Sequence, residues 1–512
     1  MDHFKNLTEI QRFYRDSTVF LTGGTGFIGK LILEKVLRSL PVKKVYLLVR
    51  AKKNVTPATR LSEIFNSPAF DILKKTYPEV LNKVYLLVGD CSNLGLGLSP
   101  EDRKTFVTEM NVIIHCAATT RFDQHIQQAT FTNIRGTRDL LSLAKEVKNL
   151  KTFVYIGTAF SNSQYREIDE KIYEPRISAE KLIEVCENLD PAILDVIGAK
   201  LVEGWPNTYT FTKQITEDLI NRECQHLPFC IVRPTIVVST AFEPVEGYVD
   251  NVFTLAGFAM LNALGINRII YYNKITLDIV PADFVVNQCL AAGWQCGSRF
   301  TASNPNQALV FNISSGRDNP ISQDRVYDVC EYYLRQVPSS TVPVFPCTFR
   351  TTCWYNYLLS RFLFHTLVAY CIDIISRIKG RKPSFVEKVK KLHHFQEMYQ
   401  FFTTNEFYFH VENTHRLLKR MSYSDRAIFN FDMTTLDWHT YFIQYSKGFR
   451  VYLLKDPMST LPEGRRHFKK LEVQFYLIVA LLVIVAYVLG KIALFRVIPT
   501  IFSLMGFHLR MC

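Results

Sequence analysis

The sequence predicts an α/β fold, a doubly wound parallel sheet of Rossmann type, from two observations. The first two-fifths of the 512-residue chain alternates short apolar runs with helix-like stretches, the pattern of parallel strands joined by crossover helices. At the first junction, Thr22-Gly23-Gly24-Thr25-Gly26-Phe27-Ile28-Gly29 stands between the apolar run at residues 18–21 and the helix-like Lys30-Leu-Ile-Leu-Glu-Lys-Val-Leu. A strand, a glycine turn and a helix in that order set a dinucleotide pyrophosphate on a helix N-terminus. Gly23 permits the turn, Gly26 clears room for the phosphates, and Gly29 lets helix and strand pack closely. A glycine turn alone also closes ordinary loops, so its position between strand and helix carries the argument.

The further strands follow at 45–49, 84–88, 112–115 and 152–156, each apolar and mostly β-branched or aromatic, with helices at 126–147 and 208–225. Phe229-Cys-Ile-Val is a sixth strand, ended by Arg233-Pro234. Residues 235–345 are less regular and are expected to build a substrate lobe that includes short strands such as 308–313. These parts form a domain over residues 1–350, with a small helical domain over 351–460.

The stretch 354–378 is apolar but interrupted by Arg361, His365 and Asp373, which favours a buried or membrane-surface helix over a spanning one. Residues 473–490 are an 18-residue run without charge, long enough for a transmembrane helix. Lys455, Arg465, Arg466, Lys469 and Lys470 precede it, a bias that places the N-terminal part in the cytosol. Residues 492–509, broken by Arg496 and Pro499, are a second, imperfect candidate, so one crossing and a hairpin both stand. No apolar leader opens the chain, which argues against secretion.

Hydrophobic residues make up 48%, which excludes a disordered chain. The 12 cysteines contain no Cys-x-x-Cys pair, so neither a metal site nor a disulfide framework is expected. The net charge of +13 suits phosphate-rich ligands or a membrane surface, and its dispersed cations match no nucleic-acid module.

Tyr209-Thr-Phe-Thr-Lys213 puts a phenol and an ammonium at i and i+4 on one helix face. There Lys213 would lower the pKa of Tyr209 and make it a usable proton donor. Tyr487-Val-Leu-Gly-Lys491 has the same spacing inside the apolar run, where it anchors a helix at an interface. Thr158 ends the fifth strand, where its hydroxyl could hold a carbonyl oxygen or make a routine strand-end bond. Arg50 ends the second strand, followed by Lys52 and Lys53 and by no acid as far as Arg60, which favours the 2′-phosphate of NADP over the ribose of NAD. Asp90 could hold the adenine amine, and Cys116 and Ala117 could line adenine and ribose.

With these residues assembled, the chain resembles the extended short-chain dehydrogenase/reductases and, more closely, the alcohol-forming fatty acyl-CoA reductases. Asn133-Ile-Arg-Gly-Thr137, Thr158-Ala-Phe-Ser-Asn162, Val232-Arg-Pro-Thr235, Asp278-Ile-Val-Pro-Ala-Asp283 and Phe311-Asn-Ile-Ser-Ser-Gly316 carry the resemblance in the front part. Phe401-Phe-Thr-Thr-Asn405 and Phe431-Asp-Met-Thr-Thr-Leu-Asp-Trp438 resemble the male-sterility-type domain that accompanies it. Gly157 departs from the pattern, since a serine is common there. The resemblance implies reduction of a long-chain fatty acyl-CoA to a primary alcohol by two hydride transfers from NADPH, with Thr158, Tyr209 and Lys213 catalytic. It also implies an intracellular membrane, peroxisomal or endoplasmic reticulum, with self-association into a homo-oligomer left open. Release of the aldehyde, and a non-catalytic lipid-binding protein, are the alternatives.

Overall fold

The computed structural model describes residues 6–50, 55–253, 255–300 and 308–492. Lys52, Lys53 and the second apolar segment beyond residue 492 lie outside the described residues.

Seven strands form the main sheet: β1 (Thr18–Thr22), β2 (Lys44–Val49), β3 (Val84–Val88), β4 (Val112–His115), β5 (Thr152–Ile156), β6 (Phe229–Pro234) and β7 (Leu309–Ile313). All are parallel, in the order β7-β6-β5-β4-β1-β2-β3. The chain starts in the middle at β1, builds out to β3 and crosses back to β4. That reversal opens a crevice beyond the carboxyl ends of β1 and β4. Strands β1, β4, β5 and β6 are buried throughout, because helices cover both faces, and so they read as continuous apolar runs. Helices α1 (Phe27–Ser39), α2 (Gly136–Glu146), α3 (Thr208–Glu223) and α4 (Ala282–Arg299) supply the layers, α1 and α4 on one face, α2 and α3 on the other. The doubly wound parallel sheet expected from the sequence is borne out.

One expectation is corrected. The strand at 308–313 belongs to the main sheet as β7, not to a separate lobe, and runs in register with β6 from Leu309 beside Cys230 to Ile313 beside Pro234. Its crossover helix α4 buries Phe284, Val285, Cys289, Leu290 and Trp294. A helix buried on every side, here with Asn287, Gln288 and Gln295 also inside, has no clear amphipathic period by which to recognise it.

Beyond the sheet, α5 (Trp354–Ile378) and α6 (Phe385–Thr404) form an antiparallel hairpin. The Asp373 carboxylate accepts the backbone N–H groups of Ser384, Phe385 and Val386 at 2.9, 2.9 and 3.0 Å, capping the start of α6. On α7 (Trp438–Gly448), Tyr441, Phe442 and Tyr445 join the apolar cluster under α1 and α4. The last described helix, α8 (Leu461–Ile492), is exposed along its apolar length. Both α5 and α8 are long and apolar enough to cross a membrane.

Candidate active site

The glycine loop closes as its residue types require. Gly23 has φ +72°, and a Cβ there would lie 2.8 Å from the Ala117 amide nitrogen. A Cβ on Gly29 would lie 2.1 Å from the Gly23 carbonyl oxygen, so close packing of α1 on the turn admits only glycine. At Gly26 the added carbon would meet only the Gly23 oxygen, at 3.3 Å. Gly26 is the N-cap of α1 and offers its first amides no side-chain partner. An uncapped helix start with clearance in front fits a pyrophosphate. Gly24, Thr25, Phe27 and Ile28 complete the loop and the first turn of α1.

Thr22 ties β1 to β4. Its Oγ1 accepts the amides of Cys116 at 3.1 Å and Ala117 at 3.0 Å, and it lies 2.7 Å from Nδ1 of His115. On the far side, His115 Nε2 is 2.9 Å from Thr137 Oγ1, whose hydroxyl donates to the Asn133 carbonyl at 2.6 Å. Burial, with Lys213 nearby, holds the His115 pKa down to about 3. The ring is therefore neutral, accepting from Thr22 and donating to Thr137.

Arg50 is exposed at the end of β2, its Nη1 3.9 Å from Asp90 Oδ2. Asp90 Oδ1 accepts the amide and hydroxyl of Ser92, each at 2.9 Å, and so shapes the loop after β3. Sequence reasoning missed Arg60. Its guanidinium donates to the Arg50 carbonyl at 2.8 Å and to Thr25 Oγ1 at 3.1 Å, placing a second cation between the glycine loop and β2. The acid-free stretch from 50 to 60 was the available signal.

The structure brings Thr158, Tyr209 and Lys213 together at the carboxyl end of β5. Asn207 caps α3 by accepting the Thr210 amide at 2.9 Å, which starts the helix one residue before Tyr209. Burial raises the Tyr209 pKa, and a hydrogen bond with Thr158 pulls the other way. Thr158 Oγ1 also accepts the Phe160 amide at 3.3 Å, a routine strand-end bond. The expected lowering of the Tyr209 pKa by Lys213 is corrected. Lys213 Nζ donates to the Ile156 carbonyl at 2.7 Å and to the Tyr155 hydroxyl at 3.1 Å, and lies 6.0 Å from the Tyr209 ring centre. Strand β5 is its nearer neighbour, and desolvation there brings its pKa down to about 8.

Three further features went unread in the sequence. Asn133 lies on a π-turn, Thr130–Arg135, and reaches Thr212 Oγ1 at 2.9 Å while accepting the Thr119 amide at 2.9 Å. Phe122 stacks on Tyr209 at 6.1 Å, backed by Tyr399 at 5.0 Å and Phe402 at 5.5 Å from α6. The third feature explains the departure at Gly157, where a Cβ would lie 2.7 Å from Glu217 Oε1. That carboxylate is buried against Arg233 at 2.7 Å, so glycine leaves room for the pair. A separate cavity with about 780 Å³ of empty space, counted out to its mouth, is lined by Ala263, Leu334 and Arg450 and by none of the three residues above.

Two family profiles, both described as male sterility protein, match residues 21–289 and 364–456, the first an NAD-binding one. The Drosophila melanogaster protein named fatty acyl-CoA reductase wat is 35% identical over 96% of this chain and 94% of its own length. Human fatty acyl-CoA reductase 1 is 35% identical over 91% of this chain and 90% of its own. This chain belongs to the fatty acyl-CoA reductase family. Solved structures share the reductase's fold at low identity. The terminal R domain of the myxalamid biosynthetic pathway has a TM-score of 0.58 at 17% identity, covering 86% of this chain and 93% of that one. The R domain of a Mycobacterium tuberculosis non-ribosomal peptide synthetase has 0.54 at 18%, covering 89% and 97%.

Proposed function

We propose that this reductase converts a long-chain fatty acyl-CoA to the primary alcohol with NADPH, through an aldehyde that stays bound. The observation that carries the reading is the meeting of Thr158, Tyr209 and Lys213 beside the crevice, next to an aromatic wall that suits an apolar chain. The uncapped start of α1, with Gly23, Gly26 and Gly29, would hold the pyrophosphate. Arg50 and Arg60 favour a 2′-phosphate, with Asp90, Cys116 and Ala117 towards the adenosine side. When bound, NADPH supplies the hydride for each of the two reductions.

Thr158 donates its hydroxyl to the thioester oxygen, and Tyr209 delivers the proton as that oxygen becomes an alkoxide. The ammonium of Lys213 holds β5 through Ile156 and Tyr155 and would hold the nicotinamide ribose of the bound cofactor. The resulting hemithioacetal breaks its C–S bond, CoA leaves as the thiol, and the aldehyde turns to the same hydroxyls for the second reduction. The phenyl rings of Phe122 and Phe402 exclude water from this step.

In this reading residues 1–350 form the reductase domain and 351–460 the helical domain. Residues 473–490, within α8, cross a peroxisomal or endoplasmic reticulum membrane, with the catalytic part on the cytosolic side that the flanking cations favour. The test is stoichiometry: full-length protein in detergent, given palmitoyl-CoA, should oxidise two NADPH for each CoA released and yield hexadecanol. A ratio of one with free aldehyde overturns the alcohol-forming reading.

A further inference from the structure

Helix α5 presents two faces of opposite character. A stripe every four residues, Tyr357, Arg361, His365, Ala369 and Asp373, turns inward. His365 Nε2 accepts the Arg268 amide at 2.9 Å and its Nδ1 lies 3.2 Å from His393 Nε2. Tyr357 donates to Gln396 at 3.3 Å, and Arg361 pairs with Glu397 at 2.7 Å. In an ideal α-helix a four-residue repeat drifts round the axis, and the π-turn Phe362–Leu367 slows that drift. The other face is apolar and bare: Tyr355 is 81% exposed, Leu359 58%, Phe362 53%, Ile374 57% and Ile378 79%. A bare apolar patch of this extent marks an interaction surface.

Both ends of α5 are tied to the body of the protein. Just before it, the strand Phe349–Thr351 pairs with Ile269–Tyr271, and Trp354 sits 5.2 Å from the Tyr271 ring. Near its end, Asp373 holds three amides of α6. A spanning helix would have to give up these bonds and carry Arg361, His365 and Asp373 into hydrocarbon, where charged and polar groups are strongly disfavoured. The helix also lies beside the root of α8. Phe345 is 5.2 Å from the rings of both Phe468 and Phe475, and Phe475 belongs to the charge-free run. Four residues along, Phe349 stacks on Phe364 of α5 at 5.7 Å. The turn from α5 into α6 and the first turns of α6 expose Lys379, Arg381, Lys382, Lys388, Lys390 and Lys391, with Glu387 the only acid from 379 to 391.

We propose that α5 lies in the plane of the membrane, its apolar face in the headgroup–acyl boundary and its cationic end on anionic lipid. An apolar stripe backed by a polar face, with cations at the rim, is the pattern of an interfacial helix. This rests on the reading that α8 is anchored in a bilayer. It would hold the catalytic crevice, whose wall is α6, one helix away from the lipid that supplies the substrate.

Full-length protein in nanodiscs of phosphatidylcholine and phosphatidylserine tests this, with single nitroxides at native Cys371, Leu359→Cys or Ile378→Cys and the other reactive cysteines replaced. All three labels should favour oxygen over a water-soluble nickel relaxant and report one shallow depth, roughly 5–10 Å below the headgroups. A label at Val483→Cys in α8 reports the anchor separately, so its failure is distinct from failure of α5. Adding Leu359→Glu and Ile374→Glu, both at exposed positions, should move Cys371 into water while the protein keeps its melting temperature. Three outcomes overturn the proposal: a depth that increases steadily to Ile378, nickel access at all three sites, or spin–spin broadening between copies without lipid contact.

Discussion

Two Tyr-x-x-x-Lys pairs stand on helices of this protein, and their difference separates spacing from function. On α8, Lys491 Nζ lies 5.1 Å from the Tyr487 ring centre, closer than the 6.0 Å between Lys213 and Tyr209 on α3. Judged by the pair alone, α8 would be the better site. The surroundings reverse that order. Tyr487 is 62% exposed on the bare outer stretch of α8, whereas Lys213 is 2% exposed and bonded to β5. Helix α3 brings its pair to the mouth of a switch-point crevice, next to a threonine hydroxyl. The chemistry comes from what the pair faces.

The largest effect expected from this contrast is on turnover. Tyr209→Phe removes the proposed proton donor and should lower kcat by about 10²–10⁴-fold, measured as NADPH oxidation with palmitoyl-CoA on protein that retains its wild-type melting temperature. Tyr487→Phe should leave kcat unchanged. Wild-type turnover in the first variant, or a comparable loss in the second, would break the distinction.

How far this site was legible follows from where each contact comes in the chain. Strands β1, β2, β4 and β5 could be read because burial on both faces writes them as apolar runs, and the edge strand β3 because it is apolar even where Tyr85 and Val88 are exposed. The glycines could be read because backbone contact at Gly29 leaves no alternative residue. Tyr209 and Lys213 showed a helical spacing, but the direction of the ammonium depended on Ile156 and Tyr155, on a strand more than fifty residues earlier. The wall by Tyr209 pairs Phe122 with Phe402, a meeting no local pattern contains. Gly157 looked like a defect until Glu217 and Arg233 appeared beside it. Local periodicity therefore exposes elements and motifs, while the partners that give a motif its chemistry arrive through tertiary packing.

The second contrast is structural. Arg233 and Glu217 are 0% and 2% exposed, so Arg233→Leu leaves a buried carboxylate without its counterion and should cost roughly 3–5 kcal/mol. Denaturant unfolding of the full-length protein in detergent measures it. The double variant Arg233→Leu with Glu217→Leu should recover much of the loss, because apolar replacement removes the stranded charge. Lys491→Leu, at an exposed position, should stay within about 0.5 kcal/mol. A single variant at Arg233 that costs no more than Lys491→Leu would remove the claim that packing distinguishes the two helices.

The smallest effect sharpens the role of Lys213 itself. Desolvation brings its pKa from 10.5 to about 8, so the ammonium is present below that pH and is lost as pH rises through it. Turnover that needs the ammonium should fall above about pH 8, by about tenfold per unit once the group is mostly neutral. Stability should move the other way. Between about 8 and 10.5 the unfolded chain keeps a proton that the folded chain has released, so folding becomes more favourable as pH rises through that window. Lys213→Arg keeps a charge that does not titrate there and should remove the alkaline limb, even with a lower plateau, whereas Lys491→Arg should leave the profile as it is. An alkaline limb that survives Lys213→Arg unchanged would assign the titration to another group and leave Lys213 as a strand-positioning residue only.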